Sequence, residues 1–193
     1  MHGITLTFIL LAAAIADSTA LAAHKQHVDD WTGKYDSHFR KNTKHYFGPG
    51  FDWRWFKAQA IAESGLDPDA KSKTGARGIM QILPSTYQDI LKKNPHFKDI
   101  QTPRWNIAAG IYYVHRLYSK WRSPPPGDER LYFSFGSYNA GYGRISRIFK
   151  KVEPPEASWE LVEYHVPGQT RHYVRRIRRL MDPKDPDEAE DTD

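Results

Sequence analysis

The sequence predicts a mainly α fold in a single globular domain. Apolar residues recur at helical spacing through most of the 193 residues, and no segment of useful length alternates apolar and polar residues as a strand does. The hydrophobic content of 39% and the aromatic content of 13% are typical of a packed protein rather than of a disordered one. We therefore expect one helical domain with its own core.

The first predicted helix carries the aromatic residues from Trp31 to Tyr46. A cap at Asp29 or Asp30 would begin it, because a carboxylate there accepts the backbone N–H groups of the first turn. The Gly-Pro-Gly segment at 48–50 would end it, since both residue types interrupt helices. These signals predict one amphipathic helix.

Two further helices follow in the next forty or so residues. Asp52 is the predicted cap of the second helix, and Gly65 suits the left-handed residue that closes a helix. Glu63 then lies in the last turn of this helix. Pro84 begins the third helix, which extends to about Leu91.

The remaining helices follow from caps, prolines and apolar periodicity. Thr102 and Pro103 supply a cap and a first-turn proline for the fourth helix. Residues 123–128, Ser-Pro-Pro-Pro-Gly-Asp, read as a loop. Thr170 is the predicted cap of an arginine-rich last helix. Between that loop and Thr170, helices are predicted at 131–141, 144–150 and 158–164.

The two ends of the chain differ from the predicted domain at 23–181. Residues 4–15 are almost uninterruptedly apolar, too few to span a bilayer, and small residues follow them. This pattern predicts a signal peptide at 1–22 and export to the periplasm or beyond the cell. A buried N-terminal core helix is the alternative, because no lysine or arginine precedes the apolar stretch. Residues 182–193 hold seven acids, one lysine and two prolines, which predicts a disordered acidic tail.

Composition excludes several classes of site. The chain has no cysteine, which excludes a disulfide framework, thiol catalysis and a cysteine-based metal site. No His-Glu-x-x-His arrangement is present, so we expect neither a metal nor a cofactor.

The charge of the chain is unevenly distributed. The formal net charge of +5 combines −6 in the acidic tail with +11 in the rest. Part of the excess lies on the arginine-rich helix, which suggests an anionic polymer or surface as partner. The alternative is that these arginines lie on a solvated helix face and bind no partner. The arginines concerned are Arg171, Arg175, Arg176, Arg178 and Arg179.

The position of Glu63 is unusual for a charged residue, because it lies at the end of an apolar helical segment. The negative end of the helix dipole disfavours its carboxylate, and the flanking Trp53, Trp55 and Phe56 suggest that it is partly desolvated. Both effects predict a raised pKa, and a carboxylic acid that stays protonated near neutral pH is what a general acid requires. The alternative is an exposed glutamate that pairs with a nearby lysine such as Lys57.

Four stretches of sequence decide between these readings. They are AIAESGLDPDAKSKTGARGIMQILPSTY at 60–87, NIAAGIYYVHRLY at 106–118, SYNAG at 137–141 and TRHYVRRI at 170–177. Together they resemble the catalytic domain of the soluble lytic transglycosylases, which cleave peptidoglycan on a lysozyme-like fold. The resemblance extends over about residues 35–180 and implies a lysozyme-like single globular domain.

The resemblance also implies roles for matching residues. Glu63 corresponds to the single catalytic acid and base, and Tyr138 matches a tyrosine whose hydroxyl bonds that glutamate. Ser72 matches a hydroxyl that places the muramic acid ring, although a serine that caps its own loop is an equal reading. Gln81 matches a residue that lines the sugar cleft. Leu83 stands where the family often has a methionine along that cleft.

Other matching positions leave alternatives open. Gly110 matches a glycine that lets two segments approach closely. Tyr113 is either a cleft residue or part of the core, and Asn139 is either a sugar ligand or a former of the turn at a helix end. Gln169 stands where the family commonly has a glutamate, so an amide that both donates and accepts hydrogen bonds replaces a sugar-binding carboxylate.

The implied reaction needs only one carboxylate. Glycosidases usually place two carboxylates about the scissile bond, but the matching stretches supply Glu63 alone. The resemblance implies a lytic transglycosylase that cuts between N-acetylmuramic acid and N-acetylglucosamine and closes a 1,6-anhydro ring without water. A hydrolase of the same fold, with Asp67 or Asp69 positioning water, is the alternative, although both aspartates are better read as turn and cap residues of the adjoining loop.

A module that binds glycan or nucleic acid without catalysis is a rival of a different class. The sequence has no helix-turn-helix, RNP or zinc signature that favours nucleic acid. We expect peptidoglycan glycan strands as the partner, no nucleic acid, no integral membrane segment in the mature protein, and a monomer.

Overall fold

A computed structural model describes residues 31–122, 127–153 and 157–182. These residues contain no strand, so the mainly α prediction is confirmed. The predicted signal peptide and all of the predicted tail after Asp182 lie outside them. The described helices are α1 (Asp36–Phe47), α2 (Arg54–Ser64), α3 (Pro84–Leu91), α4 (Pro103–Lys120), α5 (Asp128–Ala140), α6 (Tyr142–Val152), α7 (Trp159–Glu163) and α8 (Gly168–Met181).

Helix α1 begins later than the sequence predicts. Trp31 and Tyr35 precede the helix, and the predicted caps at Asp29 and Asp30 lie outside the described residues. Tyr35 adopts a left-handed conformation with φ of 68°, which is incompatible with a helix that runs through it. The aromatic spacing before Asp36 was therefore wrong as a helix signal, although both aromatic residues still pack against the core.

Helix α2 ends as predicted, but Trp53 rather than Asp52 occupies the cap position at its start. The Asp52 carboxylate accepts the backbone N–H of Arg54 at 3.0 Å, and Gly65 closes the helix with φ of 65°. Glu63 therefore lies in the last turn, as predicted.

Two later helix starts differ from prediction. Asp128 is the first residue of α5 rather than the last residue of a loop. Helix α8 begins at Gly168, directly after Pro167, so Thr170 lies inside the helix and does not cap it. The Thr170 hydroxyl instead donates a hydrogen bond of 2.9 Å to Asn139 Oδ1, at the end of α5.

The core forms around α5, which packs against α4, α6, α7 and α8. Gly136 allows this packing, because a Cβ atom there would lie 2.5 Å from the ring of Trp159. Helix α8 also packs against α2. The ends of α2 and α5 and the first turns of α8 therefore meet at one place on the surface.

Candidate active site

A cleft of about 670 Å³ lies where α2, α5 and α8 meet the loop at 65–83. Seven of the eight predicted site residues line it. They are Glu63, Ser72, Gln81, Leu83, Tyr138, Asn139 and Gln169.

Tyr113 is the predicted site residue that lies outside the cleft lining. It lines a neighbouring pocket of about 170 Å³, beside Asp89 and Arg116. Its ring packs against the ring of Tyr138, with centroids 5.3 Å apart. Tyr113 therefore supports the cleft from behind Tyr138.

Glu63 lines the cleft and accepts a close hydrogen bond. The hydroxyl of Tyr173 donates to Glu63 Oε1 at 2.6 Å. Burial raises the pKa of Glu63 to about 7, and the Tyr173 hydrogen bond opposes that rise by stabilising the carboxylate. The carboxyl is therefore divided between its acid and base forms near neutral pH.

Tyr138 does not make the predicted hydrogen bond to Glu63. Its hydroxyl donates instead to the backbone carbonyl oxygen of Met80 at 2.7 Å. A phenol has one O–H to donate, so a second donation to the carboxylate is excluded. Tyr138 still lies near enough for the charge of Glu63 to add to the burial that raises the pKa of Tyr138.

Tyr173 takes the place that the sequence assigned to Tyr138. Gln59, one turn before Glu63 on α2, donates from Nε2 to the Tyr173 hydroxyl oxygen at 3.1 Å. That bond occupies an acceptor position of the hydroxyl and leaves its hydrogen directed to Glu63. The apolar spacing of this helix in the sequence predicts only that Tyr173 faces inward. Its spacing of four from Gln169, which places both on one face of α8, was the available signal.

The desolvation of Glu63 has a different source from the predicted one. Trp55 packs its ring against Tyr132 and Phe135, and Trp53 lines another cavity. At about 1.5 Å per residue, Trp55 precedes Glu63 by about 12 Å along α2. Tyr138 and Tyr173, contributed by two other helices, are the aromatic residues that line the cleft beside the carboxylate.

One wall of the cleft is the loop at 65–83, which Asn106 of α4 fixes from behind. The buried Asn106 side chain accepts the backbone N–H of Met80 at 2.7 Å and donates to the carbonyl oxygens of Arg77 and Ile100. Gly78, with φ of 71°, lies so close that a Cβ atom there would be 2.6 Å from Asn106 Nδ2. We call this loop the loop wall.

Gly110 fulfils the predicted role of a close approach. A Cβ atom at Gly110 would lie 2.7 Å from the side chain of Met80, so only glycine lets α4 pack this close to the loop wall.

Hydrogen bonds within the loop wall answer the question about Ser72. Its hydroxyl accepts the backbone N–H of Ala76 at 3.0 Å and bonds to the Thr74 hydroxyl at 2.9 Å. Ser72 therefore caps its own loop while it also lines the cleft. Gln81 behaves similarly, because its Nε2 donates to the carbonyl oxygens of Ala70 and Gly78.

The opposite wall is one face of α8, with Gln169, His172, Tyr173 and Arg176 lining the cleft. We call this face the helix wall. The guanidinium of Arg176 donates to the backbone carbonyl oxygen of Ala62 at 3.3 Å, so it lies beside the last turn of α2.

The arginine-rich helix does not present all its arginines to solvent. Arg175 is buried, at 8% exposure, and donates to the carboxylate of Glu163 at 3.0 Å. Arg178 lies 3.6 Å from the Glu160 carboxylate. The prediction of five arginines on one anion-binding surface was therefore wrong for Arg175, because its charge is used inside the fold.

Glu63 is the one carboxylate in the cleft lining. Asp67 accepts the backbone N–H of Asp69 at 2.9 Å, which confirms the turn role predicted for it, and neither aspartate lines the cleft. No group of three or more potential metal ligands occurs among the described residues. None of the described helices has the length and apolarity that a bilayer span requires.

Two curated proteins similar to this chain share one name, membrane-bound lytic murein transglycosylase F. The protein of Alcanivorax borkumensis is 28% identical over 184 residues, which is 84% of this chain and 38% of the relative. The protein of Vibrio vulnificus strain YJ016 is 32% identical over 150 residues, which is 67% of this chain and 27% of the relative. The chain therefore spans about a quarter to two fifths of the length of these relatives.

Solved structures and family models agree with this likeness. The structure of an inactive mutant of the lytic transglycosylase Slt from Pseudomonas aeruginosa matches 77% of this chain and 23% of its own chain, with a TM-score of 0.66. Its identity of 22% shows the fold alone, which confirms a lysozyme-like architecture. The model of the transglycosylase SLT domain matches residues 39–159, and the chain belongs to that family.

Proposed function

We propose that this chain is a peptidoglycan lytic transglycosylase that cleaves the β-1,4 bond between N-acetylmuramic acid and N-acetylglucosamine. The observation that carries the proposal is a lone carboxyl, Glu63, in the lining of a cleft of about 670 Å³. Its pKa of about 7 suits a group that must first give and then take a proton. The names of the two relatives point to the same polymer.

The first step uses the protonated form of Glu63. Its proton passes to the glycosidic oxygen, and the bond from that oxygen to C1 of N-acetylmuramic acid breaks. The substrate's own acetamide oxygen stabilises the positive charge that develops at C1, because the cleft lining holds no second carboxylate to do so. Tyr173 stabilises the carboxylate that Glu63 becomes, since its hydroxyl already donates to Oε1.

The second step returns the proton to Glu63. The carboxylate takes the proton of the 6-hydroxyl of the same sugar, and the 6-oxygen forms a bond with C1. The products are a 1,6-anhydromuramic acid end and a free 4-hydroxyl on N-acetylglucosamine. Glu63 is protonated again, and the reaction consumes no water.

The walls of the cleft have separate tasks in this proposal. Gln81 and Leu83 on the loop wall contact one side of the glycan, and Asn139 and Gln169 offer amide groups to the other. The hydroxyl of Tyr138 keeps the Met80 carbonyl in place, so we assign Tyr138 the role of a positioning residue.

A hydrolase remains the alternative reaction on the same fold. It needs a group that activates water on the far side of the sugar, and neither Asp67 nor Asp69 lines the cleft. The absence of a carboxylate there favours the transglycosylase. A binding module without catalysis gives no account of a partly buried carboxyl that a tyrosine orients at 2.6 Å.

The direct test is Glu63→Gln, which keeps the size and polarity of the side chain but removes the transferable proton. Release of soluble muropeptides from purified sacculi should fall by about a thousandfold, the usual contribution of a general acid and base being about 10²–10⁴. Glu160→Gln is the matched control, because that exposed glutamate on α7 lies outside the cleft. Lysis by Glu63→Gln at the rate of the control would remove Glu63 from the mechanism.

The proposal includes export and a monomeric state. If residues 1–22 are a signal peptide, the exported protein begins near Ala23 or His24. N-terminal sequencing of protein from a periplasmic fraction tests this, and recovery of Met1 would contradict it. Sedimentation of the purified protein tests the monomer.

A further inference from the structure

A second cavity, of about 570 Å³, lies between α1, the segment after α3 and the first turns of α4. His38, Lys41 and His45 follow one face of α1 into it, at spacings of three and four residues. His96 and Arg104 enter from the opposite side. We call this cavity the histidine pocket.

The lining of the histidine pocket contains no carboxylate. Within the described residues, neither Lys41 nor Arg104 forms an ion pair. A cavity on another side of α1 differs, because there Lys57 pairs with Asp36 and Arg54 pairs with Asp52. The cations of the histidine pocket are thus available to an anion from outside.

Arg104 is held in place without being neutralised. Its guanidinium lies over the ring of Trp105, 4.4 Å from the centroid. Phe97 and His96 pack against the same tryptophan, with centroids 5.3 and 6.1 Å away. A cation that is ordered before binding loses less entropy when an anion arrives.

The histidine pocket is separate from the cleft, and the two share no lining residue. Trp105 and Ala108 of α4 face the pocket. Asn106 and Gly110, on another face of the same helix, contact the loop wall. A polymer bound in the cleft therefore needs a second segment or a second strand to reach the pocket.

We propose that the histidine pocket binds carboxylates on the peptide stems of peptidoglycan and so anchors the enzyme to the wall while the cleft acts on a glycan. Lys41 and Arg104 supply charge, and each imidazole supplies at least one N–H donor for an oxyanion. Two weak sites on one molecule raise the overall affinity for a polymer, because the second contact forms at high effective concentration. The choice of polymer rests on the proposed function, but the charge and geometry of the pocket do not.

The test measures binding apart from turnover. Lys41→Gln with Arg104→Gln, placed in the Glu63→Gln background, should weaken co-sedimentation with purified sacculi about ten-fold, as expected when two charge contacts are lost. The matched control, Lys150→Gln with Lys151→Gln, removes the same charge from two exposed residues of α6. Equal weakening by both pairs would leave only the net charge to act, and no weakening by either pair would mean that the pocket does not hold the enzyme on the wall. Either result would overturn the proposal.

Two further measurements identify the anion that the pocket binds and exclude misfolding of the variant. Sacculi treated with hydrofluoric acid lose phosphodiester-linked polymers but keep peptide carboxylates. The ten-fold difference should persist on them, and its loss would assign the pocket to phosphate instead. With Glu63 intact, Lys41→Gln with Arg104→Gln should leave the turnover of a short soluble muropeptide unchanged. An unfolded variant would lose that turnover. Absence of muropeptide release by the unsubstituted chain would contradict the proposed function and leave the binding result standing.

Discussion

The two walls of the cleft are built in different ways. The loop wall is a backbone structure, fixed by its own turns, by glycines with positive φ and by the three hydrogen bonds of Asn106. The helix wall is a row of residues, Gln169, His172, Tyr173 and Arg176, on one face of a regular helix. Glu63 lies between them and bonds only to the helix wall.

This difference has a consequence for substitutions. A loop wall that depends on a few buried hydrogen bonds is lost as a whole when one of them is removed. A helix wall stays folded when a side chain is shortened, so each of its residues acts separately. The expected effects therefore divide into losses of stability on one side and changes of kinetics on the other.

The largest effect is expected for Asn106→Ala on the loop wall. It leaves the buried N–H of Met80 and two carbonyl oxygens without their partner, so the free energy of unfolding should fall by about 3 kcal/mol. Urea denaturation measures this, and lysis of sacculi should fall with it. Asn139→Ala, which removes a single hydrogen bond to Thr170, should cost about 1 kcal/mol. Equal losses for the two variants would contradict the claim that the three hydrogen bonds of Asn106 fix the loop wall.

The second effect concerns the stability of the buried carboxyl between the walls. Because the folded state raises the pKa of Glu63 from 4.5 to about 7, the proton stabilises the fold fully below pH 4.5, and this stabilisation is lost as the pH rises through 7. A glutamine at this position does not ionise, so Glu63→Gln does not lose stability there as the pH rises. The variant should be more stable than the unsubstituted chain by about 2 kcal/mol above pH 7, after allowance for partial exposure. Denaturation at pH 4 and pH 8 should show this gap only at the higher pH.

The third effect separates the two tyrosines. Tyr173→Phe removes the donor to Glu63, so kcat should fall about tenfold, equal to about 1.4 kcal/mol. Because that hydrogen bond lowers the pKa of Glu63, the alkaline limb of the pH–rate profile, near 7, should move to higher pH.

Tyr138→Phe is the control for this effect. It removes the donor to the Met80 carbonyl, so it should lower the free energy of unfolding by about 1 kcal/mol and leave the alkaline limb in place. A shift of that limb in Tyr138→Phe and none in Tyr173→Phe would reverse our assignment of the two hydroxyls.

The smallest effect is expected for Arg176→Gln on the helix wall. Arg176 is exposed and lines the cleft. Under the proposed function we expect it to attract the carboxylates of peptidoglycan. KM for sacculi should rise about threefold at low salt and less at high salt, because such attraction is screened. Arg179→Gln, on the same helix but outside the cleft lining, should change KM less. Equal changes in KM would mean that Arg176 acts only through the net charge of the protein and not through its position in the cleft.

The sequence predicts the loop wall well because its signals are local. Gly65 marks a positive φ angle, Asp67 marks its own turn, and Pro84 marks the first residue of α3. Each of these residues constrains the backbone within a few positions of itself, so its effect can be read without knowing what packs against it.

The helix wall could not be predicted to the same depth because its roles depend on packing between distant segments. Near Glu63, Tyr138 is half-buried and Tyr173 is buried. Only the positions of Gln59 and the Met80 carbonyl decide which hydroxyl reaches the carboxylate. The burial of Arg175 likewise depends on Glu163 of α7. The same limit explains the error about Trp53 and Trp55, which are close to Glu63 in sequence but pack elsewhere.

Muropeptide mass spectrometry in water enriched in heavy oxygen tests the central claim most directly. If Glu63 acts alone and the 6-hydroxyl closes on C1, the released fragments carry 1,6-anhydromuramic acid ends, lighter by one water than reducing ends, with no heavy oxygen. Reducing muramic acid ends that carry the heavy oxygen would mean that water attacks C1, and the account of a single-carboxyl transglycosylase would then be wrong.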